Sequence, residues 1–236
     1  MVLKIAFIGL TIITVMFLIF IGSKAINATS VSPKKDKQKL ILGLLLWQVF
    51  ICSTASTGIF KSYDFPPLFA LTFIIPSFLF TGIFLFNNRN NQWITTIPES
   101  WLIYFQSFRV FVEILFVLAL AKGIFNHHVT IEGYNYDMIF AFTSPIIAFL
   151  VYHKKVLSRS FLLIWNYLGL GVLASVIFLF LASMYQPTIF GSDLPLLPLE
   201  SMTYPYILIA GFLMPTAVFL HVLSIIQLRS RKITLR

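Results

Sequence analysis

Seven stretches of this sequence are each long and apolar enough to cross a lipid bilayer, and no other feature restricts the fold as strongly. A helix rises about 1.5 Å per residue and the hydrocarbon core is about 30 Å thick, so about 20 apolar residues make one crossing. The stretches are 2–22, 40–60, 68–86, 101–121, 136–152, 160–184 and 206–228. The fifth is the shortest, with Asp137 at its start and His153, Lys154 and Lys155 directly after it. The fold class this predicts is an all-α polytopic membrane helix bundle of seven transmembrane helices.

Composition agrees. Of 236 residues 58% are hydrophobic and 11% charged, whereas a soluble domain carries about 25% charged residues. We therefore expect one transmembrane domain over residues 1–236 with short connections and no soluble enzyme domain. The single cysteine, Cys52, falls in an apolar run. It excludes an intramolecular disulfide and a cysteine-based metal cluster, and reads as a small packing residue.

Orientation follows from lysine and arginine placement, because positive residues near span ends stay in the cytoplasm. One face collects thirteen: Lys24, Lys34, Lys35, Lys37, Lys39, Arg89, Lys154, Lys155, Arg159, Arg229, Arg231, Lys232 and Arg236. The other has three, Lys4, Lys61 and Lys122, together with the acids Asp64, Glu132, Asp137, Asp193 and Glu200. Seven spans then put the N-terminus outside and the C-terminus inside. The net charge of +9 is a topology signal, scattered over loops that touch anionic headgroups, and not a nucleic-acid stripe. Lys4 and the small residues at 22–25 resemble a signal peptide, but cleavage would leave the lysine-rich segment outside, so we read an uncleaved anchor.

Two landmarks recur in matched order. Trp47-Gln48 in span two corresponds to Trp165-Asn166 in span six, and Phe73-Ile74-Ile75-Pro76-Ser77 in span three to Phe212-Leu213-Met214-Pro215-Thr216 in span seven. They suggest a 3+1+3 repeat like that of SWEET-type sugar facilitators, although spans one and five show no match.

Ionisable residues inside a membrane cost roughly 2.5–3.5 kcal/mol each at a helix centre, so they need a reason. Gln106, Arg109 and Glu113 in span four share one helical face, and Arg109 and Glu113 stand four apart, where they can neutralise one another. They read either as an internal ion pair that fixes packing or as a cationic anchor for a polar or anionic ligand, with Glu113 as counter-ion or proton carrier. Counted from the cytoplasmic span ends, Gln48, Arg109 and His221 lie at one depth, roughly 12 Å in. Asn166 is slightly shallower and Glu113 deeper. The predicted ligand-binding set is Gln48, Gln106, Arg109, Glu113, Asn166 and His221, lining a pocket open towards the cytoplasm. Pro76, Pro145 and Pro215 sit at mid-depth in three other crossings, where each frees a backbone carbonyl.

The outer connection 122–137 holds His127, His128, Glu132 and Asp137, weak metal candidates because adjacent histidines do not readily converge on one ion. The competing reading is a helix start capped by Asn135 or Asp137. The connection 185–205, rich in proline and leucine, is expected to lie as a flap across the outer mouth. No lysine in a span interior supports a retinal Schiff base, and one intramembrane histidine is too few for a bis-histidine haem. No phosphate-cradling glycine loop or hydrolase elbow appears. No catalytic residue and no cofactor are assigned.

The stretches 130–137 to Ser144-Pro145, and Ser160 through Trp165-Asn166 to Pro215 and His221, resemble an uncharacterised family of bacterial seven-span integral membrane proteins. The resemblance runs from about Gln106 onwards. It implies a multi-pass protein of a bacterial inner membrane and supplies no activity. The function expected from the residues is a small-solute transporter or facilitator. The alternatives are an intramembrane lipid-acting enzyme or ligand-sensing receptor, and a structural subunit of a membrane complex. Expected partners are the lipid bilayer and a small polar or anionic ligand, not nucleic acid; an oligomer is left open.

Overall fold

A computed structural model describes residues 1–233 and is helical, with no strand among the described residues. Helix α1 covers Val2–Thr29 and α2 Pro33–Ser56; a π-helical turn, Ala70–Ile74, leads into α3, Ile75–Asn88. A short α4, Gln92–Thr96, precedes α5, Glu99–Phe105, and α6, Phe108–Leu120. Helix α7, Asp137–Ala148, runs into a π-helical turn at Phe149–His153. Helix α8 covers Arg159–Tyr185, and a third π-helical turn, Ile209–Leu213, opens α9, Met214–Ile233. Six of these crossings are long and apolar enough to span a membrane, and Asp137–His153 is a shorter apolar helix.

Helix α9 is central: 78% of its apolar window is buried, against 11% for α2 at the periphery. Helices α3, α5 and α8 pack around α9, while α7 lies against α5, α6 and α8, and α1 against α2, α4 and α6. Outward faces carry exposed Ile12, Met16, Leu46, Phe80, Ile83 and Phe111. A soluble monomer avoids contiguous apolar patches, so this apolar exterior is compatible with an integral membrane protein.

Local chemistry explains the irregular turns. A proline has no N–H for the carbonyl four residues back and its ring crowds that carbonyl. Pro76 and Pro215 each stand just after a π-helical turn, and Pro145 stands four residues before one. The carbonyls thus freed at Ala141 and Gly211 find side-chain donors: the Ser144 hydroxyl at 2.9 Å and the Trp47 indole N–H at 2.9 Å. Ser158 caps α8 by accepting from the Phe161 amide at 3.1 Å.

Three features differ from the sequence reading. Helix α2 begins at Pro33, so Lys34, Lys35, Lys37 and Lys39 ride its first turns; proline suits the first helical position, and Asp36 there takes the Lys39 ammonium at 3.2 Å. Span four is not one helix: three-residue turns at Gln106 and Ser107 separate α5 from α6. The link between spans three and four contains α4, tied to α9 by Gln227, whose Nε2 donates to the carbonyls of Ile94 and Ile97. Arg236 lies outside the described residues.

The segment after α6 does not stay at the surface of the bundle. Ile124, Phe125, Val129, Thr130 and Asn135 are at most 5% exposed, and Asn135 reaches Glu113, about 10 Å inside the end of α6. Helix α7 therefore starts within the bundle, which is why its apolar run is short. Irregular backbone is tolerated at such depth when protein surrounds it. In the segment 186–205 Leu197 is fully buried, and its carbonyl accepts from the Tyr63 hydroxyl at 2.9 Å.

Candidate functional site

Arg109 sits at the start of α6, directly after the break in the fourth crossing, and is 2% exposed. Its guanidinium is held from two helices, α7 and α9, and from the turn before its own. Nε donates to Asp137 Oδ2 at 2.8 Å and Nη2 donates to Asp137 Oδ1, a fork-on-fork pair at the start of α7. Nη1 contacts Gln106 Oε1 at 3.3 Å and His221 Nε2 of α9 at 2.9 Å.

These contacts fix the histidine tautomer. A guanidinium has no acceptor, so His221 Nε2 must accept from Arg109, and Nδ1 carries the proton of a neutral ring. Nδ1–H then donates to Asn166 Oδ1 of α8 at 2.9 Å, while Asn166 Nδ2 donates to the Leu162 carbonyl at 2.8 Å and to Ser224 Oγ at 3.1 Å. Gln106 Nε2 donates to the Ala217 carbonyl at 3.2 Å. The His221 ring lies against Gly169, where a Cβ would stand 2.5 Å from Cε1, so only glycine lets α8 approach this ring.

The structure thus brings together Gln106, Arg109, Asn166 and His221. It does not bring Gln48 to them: Gln48 lies on peripheral α2, its Nε2 buried with no hydrogen-bond partner among the described residues. The expected pairing of Arg109 with Glu113 is also overturned, because Asp137 across the helix interface offers both carboxylate oxygens to the guanidinium fork. Glu113 instead accepts from Asn135 Nδ2 at 2.7 Å through Oε1, and its Oε2 has no hydrogen-bond partner among the described residues. Asn135 also binds the Val129 carbonyl at 3.1 Å and accepts from the Asp137 amide at 2.9 Å, joining the two acids through one side chain.

The sequence reads Asn135 as a helix cap, and Asp137 as a helix cap or a weak metal candidate. With Asp137 on Arg109, the weak metal set loses a member. His127 and His128 stack on each other at 3.9 Å, and no group of three or more potential ligands converges among the described residues. Burial and the neighbouring His127 hold the His128 imidazole below its usual range. No family model, curated protein or solved structure matches the chain.

The side chains of the network are buried. A cavity of about 20 Å³ beside it is lined by Arg109, Glu113 and Asp137 and by apolar walls including Phe116, Leu173 and Leu213. That is room for about one water. Below it, buried Glu99 accepts from Arg159 and, at 3.2 Å, from the Tyr152 hydroxyl. The arrangement offers a fixed cation, two carboxyls of different surroundings and a neutral imidazole, all shielded from water.

Proposed function

We propose that the chain is a seven-span protein of a bacterial inner membrane, N-terminus outside and C-terminus inside, that transports a small polar or anionic solute. In this reading Arg109 is the anchor, flanked by Gln106, Asn166, His221 and Glu113, and the packed network is its solute-free, closed form. The observation that carries it is a nearly inaccessible arginine held at a break in a crossing helix. Buried membrane charges mark solute pathways, and interrupted helices mark transporter sites. The shorter helix Asp137–His153 completes the seventh crossing together with the inward-folded segment before it. Thirteen cationic side chains against three support the orientation.

The repeat finds support in one pair of spans. The π-helical turns Ala70–Ile74 and Ile209–Leu213 precede Pro76 and Pro215 at the same spacing and pack against each other. The tryptophans diverge: Trp47 bonds a backbone carbonyl, whereas Trp165 meets Thr143 Oγ1 at 3.4 Å.

A second reading, a structural subunit locked by this network, is favoured by the contacts of Arg109, which occupy four of its five N–H donors. Thermal stabilisation by a panel of small carboxylates, phosphates and amino acids, followed by uptake into proteoliposomes, separates the two. Transport predicts a solute that stabilises the wild type, by about 2.7 kcal/mol at a hundredfold excess over Kd, and not a folded Arg109→Met/Asp137→Leu variant. Equal stabilisation of that variant contradicts the anchor role.

A further inference from the structure

Charge counting around Arg109 leaves one negative charge over. Two buried carboxyls, Glu113 and Asp137, stand around one buried guanidinium, and Asp137 takes two of its N–H groups. The cationic and titratable groups on the elements packed against the site are engaged elsewhere or neutral. His221 on α9 is held neutral and turned to Arg109. The lysines of α1 are elsewhere, Lys4 over the Tyr206 ring at 5.9 Å and Lys24 over the Trp101 ring at 4.4 Å. Arg159 of α8 is on Glu99, and α8 faces the cavity with Leu173 and Val176. Glu113, 1% exposed, therefore has an amide on Oε1 and no hydrogen-bond partner on Oε2 among the described residues, and it lines a cavity with room for about one water.

We infer that Glu113 is a proton-binding site, occupied in this closed arrangement by one proton on Oε2. An isolated buried carboxylate is too costly to persist and is neutralised instead. A metal cation fits poorly, because hard cations take about six oxygen ligands, and here both Asp137 oxygens are on Arg109 and the remaining walls are largely apolar. Uptake adds H⁺ to the carboxylate and releases nothing. Loss of the proton leaves two carboxylates to compete for Arg109, which stands one helical turn from Glu113. Glu113 borders the proposed solute anchor, but its proton does not depend on a solute being bound there.

Infrared spectroscopy of the purified full chain in lipid nanodiscs tests this directly, through the carbonyl stretch of a protonated carboxyl at neutral pH and its shift in ²H₂O. The expected result is a band present in the wild type, lost in Glu113→Gln and kept in Glu99→Gln. No such band, or one unchanged by Glu113→Gln, overturns the inference. A parallel reading is thermal stability. Glu113→Gln replaces a neutral acid by its isostere and should keep the wild-type midpoint, whereas Asp137→Asn, which strips the partner from Arg109, should lower it by several degrees. Equal losses in both variants overturn the inference. Should Asp137→Asn fail to accumulate, the infrared result and the Glu113→Gln midpoint decide. Neither arm involves a solute, so absence of transport leaves the result intact.

Discussion

The indole N–H of Trp47 donates to the carbonyl of Gly211 at 2.9 Å, across 164 residues of sequence. That carbonyl is the one Pro215 leaves without its helical donor, so peripheral α2 is fastened to the central helix at a point the proline creates. A buried acceptor left unpaired costs about 1–3 kcal/mol. Trp47→Phe is expected to lower stability by that amount, and by clearly less in a Pro215→Ala background, where the amide N–H at 215 returns to Gly211. Chemical denaturation of the two single variants and the double checks it.

Gly169 makes a sharper steric test. A Cβ there would meet His221 Cε1 at 2.5 Å and Nε2 at 2.7 Å, on a ring clamped between Arg109 and Asn166. Gly169→Ala should cost about 1–3 kcal/mol by overpacking. On the same helix Gly171 has nothing within 4 Å, and Gly171→Ala should stay within about 0.5 kcal/mol of wild type. Thermal midpoints of the two variants in one detergent give the comparison.

Topology is open to reporter fusions. A reporter active only in the cytoplasm should work after Lys155 and fail after Asp193. Activity at Asp193 would contradict the orientation and the seven-span count together.

Six apolar helices long enough to cross a membrane were legible because length and apolarity are one-dimensional properties of a run. The shared level of Arg109, Asn166 and His221 was also legible, since helical rise converts residue counts into depth. Partner choice was not. Arg109 and Glu113 stand at the favoured four-residue spacing, yet the bidentate geometry of Asp137 wins. Nothing local in the sequence shows that the polar stretch before Asp137 folds inwards, because Asn126, His127, His128 and Glu132 read as an exterior loop. Gln48 was misplaced because α2 begins at Pro33 rather than at 40: Trp47 beside it bonds the carbonyl of Gly211, ten residues or about 15 Å along the last crossing from His221. The Gln106–Ser107 break has no proline or glycine to announce it.

The account rests on Arg109 being paired with Asp137 inside the bundle. A double-mutant cycle on Arg109→Met and Asp137→Leu, read as unfolding free energy in detergent, tests that claim most directly. Removing one partner strands the other charge in a low-dielectric interior, so each single variant should lose about 3–5 kcal/mol and the double should regain most of it. Additive losses at 109 and 137, or a rescue obtained with Glu113→Leu in place of Asp137→Leu, would contradict the pairing and the bundle built around it.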